Sequence, residues 1–503
     1  TVTVQLPIFN EVHVVERLID AVAALDYPRD RLEVQLLDDS TDETTALAQA
    51  RVAHHRGQGL DITLLRRSDR RGYKAGALAH GLACARGELI AIFDADFVPP
   101  PDFLRRTVPF FLDDFRLGFL QTRWGHLNTT YSPLTRAQVI ALDGHFVIEQ
   151  TARSQSGCFI NFNGTAGIWR RACIEESGGW QDDTLCEDLD LSYRAQLAGW
   201  HAMYRPDIVT PAELPPQLLA FKRQQFRWAK GSIACLRKLG SPVWHSHYSL
   251  AARIEGIIHL GSYLAHPLLL LLLLLTPPLL WWNNGVHWPL AWSWIPVSLS
   301  GLGLPLLYTA SQWALHVESR QAGERWWQRL LYFPVLVLLG TGLALSNTKA
   351  VLEGWLGRGT PFRRTPKFQL EGQKGHWTDS HYVLSPDVQL IGELLLAIYA
   401  TLAIVLAWYR GNFWAIPFLG LYVGGFLFVA GISLRQAWSV SHLPVATEEP
   451  DGRNCFQAPY RSSHSRSLTS AWSGGEGRKT TSANARYPQY PPARSRHPGL
   501  WPC

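Results

Sequence analysis

The stretch LIAIFDADF, Leu89 to Phe97, decides the reading of this chain. Its apolar run LIAIF is followed at once by two carboxylates, Asp94 and Asp96, and then by the strand-stopping prolines Pro99 to Pro101. A short continuous apolar run bounded in this way reads as a strand buried on both faces of a sheet. Upstream the same punctuation recurs. VTVQLPIF (2–9) gives way to NEVHVVERLIDAVAAL (10–25), LEVQLLDD (32–39) to TTALAQARVAHH (44–55), and ITLLRR (62–67) follows. Strand-like runs separated by helix-length segments predict parallel βαβ units, so residues 1 to about 215 are expected to form an α/β sheet domain. Ligands of such sheets gather beyond the carboxyl ends of the strands, where Asp38, Asp39, Asp94 and Asp96 stand.

Beyond that domain the composition changes. Charged residues are 17% of the 503, against roughly 25% in ordinary soluble proteins, and the deficit falls after about residue 256. Apolar stretches at about 257–282, 289–311, 388–408 and 412–434 are each long enough for the roughly 20 residues that a bilayer span needs. A fifth, 329–346, is short and begins at Arg329. The basic segments 217–255, 316–329, 347–374 and 435 onward are cytosolic by the positive-inside rule, while the connection NNGVH (283–287) has no Lys or Arg. Both flanks of 329–346 then lie on one face, which predicts a re-entrant or interfacial helix there. The expected order is a cytosolic α/β domain (1–215), interfacial helices (216–256) and an α-helical transmembrane domain (257–435) in a cell or Golgi membrane. A Ser-, Arg- and Pro-rich tail (446–503) reads as disordered or as a shifted reading frame. The chain begins inside a strand without a Met, so N-terminal membrane helices are expected to be missing. Seven scattered cysteines with no CxxC pair support neither a disulfide framework nor a zinc site. A net charge of +6 is small for this length and excludes an electrostatically dominated nucleic-acid binder.

Several segments carry chemistry. Two carboxylates spaced i, i+2 at a strand end, Asp94 and Asp96, can converge on a hard divalent cation completed by substrate phosphate oxygens, although a lone DxD is more often a solvated turn. In RRSDRRGYKAGALAHGL (66–82), Arg70, Arg71 and Lys74 precede a helix-like run and can face a diphosphate, or they are a solvated basic loop. CEDLDLSYRAQ (186–196) crowds Glu187, Asp188 and Asp190 into the first turn of a predicted helix. They are caps and dipole partners there, or one is a general base on a hydroxyl. FKRQQFRWAKG (221–231) puts Gln224, Arg227 and Trp228 at i, i+3, i+4, on one face if 217–238 is helical. An indole can lie against a sugar ring and a guanidinium can pair with phosphate. The rival is an interfacial helix with its cations toward anionic headgroups, and Lys222, Arg223 and Lys230 are expected at that lipid surface.

Taken in order, LPIFNE, LLDDSTD, RRGYKAGAL, FDADF, FNGTAGIWR, CED and QQFRW resemble the motifs of the processive inverting family-2 glycosyltransferases. The likeness is to cellulose synthases and especially to cellulose synthase-like β-mannan (glucomannan) synthases. FRRTPK (362–367) is similar to their FxxTxK gating loop, within a loop-like segment 360–370. The resemblance implies a GT-A domain, Rossmann-like and nucleotide-sugar-binding, that uses Mg²⁺ or Mn²⁺. It implies that Asp39, Lys74, Asp94 and Arg227 bind the donor, and that Asp94 and Asp96 hold the metal. Asp188 would be the general base. Asn163, Gly164, Gln224 and Trp228 would bind a polysaccharide acceptor, and Phe362, Thr365 and Lys367 would close over the nucleotide. A gating loop must reach a cytosolic nucleotide, which agrees with 329–346 not crossing. Cys186 stands where the family has Thr, so a hydroxyl hydrogen bond beside the base is expected to be lost. GDP-mannose is the implied donor, with UDP-glucose as the alternative. A ceramide-type lipid glucosyltransferase and a non-catalytic basic membrane-surface module are the competing readings.

Overall fold

The computed structural model of the chain describes residues 1–282, 294–319, 326–358, 362–380, 382–384 and 387–440. Strands form where the continuous apolar runs stand: β1 (Val2–Ile8), β2 (Leu32–Asp38), β3 (Ile62–Arg66) and β4 (Leu89–Ile92), joined later by β5 (Leu117–His126), β6 (Gly167–Arg170) and β7 (His201–Ala212). They make a seven-stranded sheet in the order β3-β2-β1-β4-β6-β5-β7. β4 shows why such runs carry no polar alternation. Leu89 and Ala91 enter the apolar cluster on one face, while Ile90 and Ile92 enter the cluster on the other.

β1 pairs in parallel with both β2 and β4, and β2 in parallel with β3. Chain order therefore reverses between β1 and β4, which opens a crevice beyond their carboxyl ends. The βαβ pattern predicts a parallel sheet, and here the sheet departs from it. β6 runs antiparallel to both β4 and β5, while β5 and β7 are parallel. Its reversal begins in FNGTAGIWR: Gly164 has φ +81 and Ala166 has φ +56, and the chain turns there before entering β6 from the crevice side.

Three helices bring side chains to that crevice: α1 (Tyr73–Cys84), α2 (Glu187–Leu197) and α3 (Leu218–Trp244). α3 also packs on the helix Ala344–Leu356, where a Cβ at Gly354 would lie only 2.7 Å from the Lys230 carbonyl oxygen. Here the headgroup expectation is corrected for two cations. Lys222 is buried in an ion pair with Glu393, and Lys230 is buried against Glu353 at 3.1 Å. Periodicity cannot foresee partners more than a hundred residues away.

Among the described residues, three helices are long and apolar enough to cross a membrane: Ser262–Trp282, Gln389–Tyr409 and Ala415–Ser439. The first begins later than the apolar stretch at 257–282, because residues up to Leu260 belong to the preceding helix Leu250–Leu260. The span expected at 289–311 begins outside the described residues. Its described part lies in the helix Trp294–Ser319, which is not one of the three. Around 329–346 the helices Trp326–Gly342 and Ala344–Leu356 are long and apolar enough to cross only if taken together, and they are bent by 47° at their junction. The tail at 446–503 and the first positions of the 360–370 loop lie outside the described residues.

Candidate active site

β4 ends at Ile92, so Asp94 and Asp96 emerge at the crevice. The Asp94 backbone N–H donates to Thr165 Oγ1 at 2.8 Å, which ties the DAD turn to FNGTAGIWR. Each carboxylate meets a lysine. Lys74, in the first turn of α1, lies 2.6 Å from Asp94 and donates to the Gly164 carbonyl at 2.9 Å. Burial alone would lower the Lys74 pKa, but the charges of Asp94 and Glu187 outweigh it and raise it. Lys367 lies 2.7 Å from Asp96 and 3.7 Å from Glu11, and those anions likewise raise its pKa against burial.

Asp188 enters from the first turn of α2, with its Oδ1 accepting from the Leu189 N–H at 2.8 Å. Enclosure by the cleft walls, and then the like charge of Glu187, push its carboxyl up to about 7, while Lys74 pulls the other way. Gly164 makes room for it. A Cβ there would lie 2.8 Å from Asp188 Oδ2. Asp190, two residues on in the same turn, is fully buried between Arg194 at 2.7 Å and Lys238 at 2.8 Å, which is a structural role. Cys186 packs its thiol toward the Arg227 carbonyl at 3.8 Å. A Cβ on Gly231 of α3 would lie 2.3 Å from that sulfur.

α3 carries Gln224, Arg227 and Trp228 on the face toward the cleft, which all three line. The Arg227 guanidinium lies 4.9 Å from the Phe362 ring centroid, and Phe362 stacks on Tyr73 at 5.5 Å. Phe362, Thr365 and Lys367 therefore reach the same cleft as Asp94 and Asp188. Their segment is held by Glu213, whose carboxylate accepts from the Phe368 N–H at 2.8 Å and the Leu370 N–H at 3.1 Å. Asn163 also lines the cleft, and so does Asp39, whose carboxylate is gripped bidentately by Arg67.

The residues that the family resemblance implied thus all line one cleft, whereas Asp38, Arg71 and Asp190, also named from the sequence, do not line it. Sequence reasoning missed Glu11, Arg67, Glu213 and Trp124. Glu11 follows β1 as Asp39 follows β2, so the strand-end argument that found the aspartates applies equally to it. Trp124 and Glu213 carry no local signal. They reach the site through β5 and the turn after β7.

The sequence profile described as "Glycosyltransferase like family 2" matches residues 1–231. Residues 1–231 are a family-2 glycosyltransferase domain. Its sheet and covering helices form a GT-A α/β fold followed by the apolar helices. The chain is 45% identical over 245 residues to glucomannan 4-beta-mannosyltransferase 1 of Oryza sativa subsp. japonica, covering 47% of this chain and 46% of that protein. It is 45% identical over 242 residues to glucomannan 4-beta-mannosyltransferase 2 of Arabidopsis thaliana, covering 47% and 45%. The chain therefore spans under half the length of these curated relatives. Among solved structures it is similar to the mannosyltransferase PcManGT from Pyrobaculum calidifontis in complex with GDP-Man and Mn²⁺. That match has 22% identity and a TM-score of 0.46, and covers 71% of this chain and 88% of the other.

Proposed function

We propose that the protein is a membrane-bound inverting hexosyltransferase that moves mannose from GDP-mannose onto a growing β-1,4-linked mannan or glucomannan. The observation that carries this reading is Asp188, a carboxylate pushed up to about 7, in one cleft with Asp94 and Asp96. A base poised near neutrality suits removal of a proton from an acceptor hydroxyl as that oxygen attacks the anomeric carbon. Arg227, on the cleft face of α3, binds the departing diphosphate, and Trp228 offers its indole to the acceptor sugar. Phe362, Thr365 and Lys367 close over the nucleotide. Kinship to glucomannan mannosyltransferases favours GDP-mannose over UDP-glucose.

Among the described residues no group of three or more His, Cys, Asp or Glu is placed to hold a metal ion. Asp94 and Asp96 are two carboxylates at a strand end, each already facing a cation in Lys74 or Lys367. That donor set fits Mg²⁺ or Mn²⁺ shared with diphosphate oxygens, which takes one or two carboxylates from the protein. A bound cation there stabilises the charge of the nucleotide leaving group. Asp96 is its main protein ligand in this reading, and Asp94 supports it.

The bent helix pair before Phe362 is read as re-entrant, because Phe362 to Lys367 must share the side of the catalytic domain, which is the cytosolic side. The test incubates membranes containing the protein with labelled GDP-mannose or UDP-glucose and Mg²⁺ or Mn²⁺, then digests the product with linkage-specific glycanases. Mannanase-sensitive polymer from GDP-mannose is expected. A lipid-extractable, singly glycosylated product would overturn the polymer reading.

A further inference from the structure

The helical run that starts at Pro133 is interrupted midway. Pro133–Asp143 is α-helical, Gly144–Glu149 is a π-helical turn, and Gln150–Gln155 resumes the α-helix. Such turns sacrifice regular bonding and are found frequently at functional sites. Two of its side chains support the cleft wall. His145 Nε2 lies 3.3 Å from Asn163 Oδ1, and the Phe146 ring lies 5.2 Å from that of Trp124.

Both supported residues are held from a second direction as well. Asn163 Oδ1 also accepts from Asn161 Nδ2 at 2.7 Å, and the Asn163 backbone N–H donates to Gln121 Oε1 at 2.8 Å. Trp124 is braced on another side by Phe97, with ring centroids 5.3 Å apart. His145 is itself anchored, with its Nδ1 lying 3.3 Å from Glu149 Oε2. What these contacts leave over is specific. Asn163 and Trp124 both line the cleft, and Asn163 Nδ2 and Trp124 Nε1 are buried without a partner. Buried donors are almost always satisfied, so these two N–H groups of cleft-lining residues are available to oxygen atoms of a ligand. They are neutral, which suits hydroxyls rather than phosphate. Asn163 adjoins Gly164, the residue whose missing Cβ makes room for Asp188.

We infer that the π-turn is a positioning element for the acceptor. His145 fixes the Asn163 carboxamide and Phe146 fixes the Trp124 indole, so that the two remaining N–H groups donate to hydroxyl oxygens of the terminal hexose of a polyhydroxylated acceptor. This rests on the reading of Asp188 as the acceptor's base. Asn163 and Trp124 touch the sugar, whereas His145 acts through Asn163.

The experiment measures binding of a manno-oligosaccharide to the full chain saturated with GDP, by calorimetry, alongside GDP affinity in the same preparations. Loss of one neutral hydrogen bond predicts about tenfold weaker oligosaccharide binding for Asn163→Ala and for Trp124→Phe, which keeps the ring packing. His145→Ala weakens it as well, His145→Gln restores it because the amide can again donate to Asn163 Oδ1, and GDP affinity stays unchanged throughout. Equal losses of GDP and oligosaccharide affinity, or no rescue by His145→Gln, would reduce the π-turn to a merely structural feature and overturn the inference. Wild-type protein that binds no oligosaccharide overturns it too. Protein that binds the oligosaccharide yet transfers no hexose overturns the proposed function alone.

Discussion

In the cleft, Lys74 meets Asp94 at 2.6 Å and Lys367 meets Asp96 at 2.7 Å, and behind it Lys222 meets Glu393 on the helix Gln389–Tyr409. The two settings differ in access. The side chains of Asp94 and Asp96 keep 28% and 11% of their exposure, whereas Glu393 keeps 0% and Lys222 4%. A pair beside an open cleft can exchange its partner for a phosphate or a divalent cation. A sealed pair cannot, and its main effect is to penalise any packing of α3 that separates the charges. α3 serves both regions, with Arg227 turned to the cleft and Lys222, five residues earlier, turned to the apolar helices. What a cation does in this chain is thus set by what lies opposite it.

The largest effect is expected inside the cleft. Asp188→Asn keeps the shape of the side chain but cannot take a proton, so transfer should fall by about 10² to 10⁴. GDP binding should stay nearly intact, which equilibrium titration of the purified variant checks. Lost GDP binding would move Asp188 from the acceptor to the donor side. Next comes the sealed pair. Lys222→Met strands the Glu393 carboxyl and should cost about 3–5 kcal/mol of stability, seen as a lower unfolding temperature in detergent. Combining it with Glu393→Leu should recover most of that loss, since an apolar pair of similar volume does without the desolvation penalty. If the double variant stays as unstable as the single one, the pair contributes more than its packing.

The same contrast explains how far the sequence could be read. β1 to β4 were legible because each is a continuous apolar run ending in a polar turn, so their carboxyl ends and the aspartates beyond them could be named. β6 was not. It has four residues, Gly167–Arg170, and its antiparallel direction depends on the positive φ of Gly164 and Ala166. α3 was legible as a helix with a Gln224, Arg227 and Trp228 face, yet Lys222 and Lys230 looked like headgroup cations because Glu393 and Glu353 are remote in sequence. Phe362, Thr365 and Lys367 could be brought to the cleft only through family resemblance, since no local pattern in FRRTPK points to Asp96 or Tyr73. His145 and Trp124 stand outside every motif, and the π-turn that carries His145 and Phe146 has no periodicity to betray it.

A smaller effect tests whether the cleft pairs are exchangeable. Lys367 faces Asp96 and, at a longer distance, Glu11, so it competes with a divalent cation for the Asp96 carboxylate. Lys367→Met should raise the Mn²⁺ affinity of the nucleotide-free protein, because it removes a positive charge from beside the ligand. Electron paramagnetic resonance of free Mn²⁺ in a titration reads this without any turnover. Transfer should fall in the same variant if, as proposed, Lys367 closes over the nucleotide. Unchanged Mn²⁺ affinity would mean that the Lys367–Asp96 pair is as structural as Lys222–Glu393.

The smallest effect is a displacement along the pH axis. Asp188 has an ordinary value of 3.8 and is pushed up to about 7 by burial first and by Glu187 second. A base must be ionised to accept a proton, so transfer should rise with pH through about 7 and level off above it. Glu187→Gln removes the like charge and leaves burial in place, so the limb should move to lower pH without disappearing. Folding stability gives an independent sign. The folded state holds this proton more tightly than the unfolded chain does, so stability should decline as pH rises from 3.8 to about 7. In Asp188→Asn that part of the decline is absent. If Glu187→Gln leaves the limb in place while Asp188→Asn removes it, burial alone sets the base, and the crowding of acids at the start of α2 serves the helix and not the reaction.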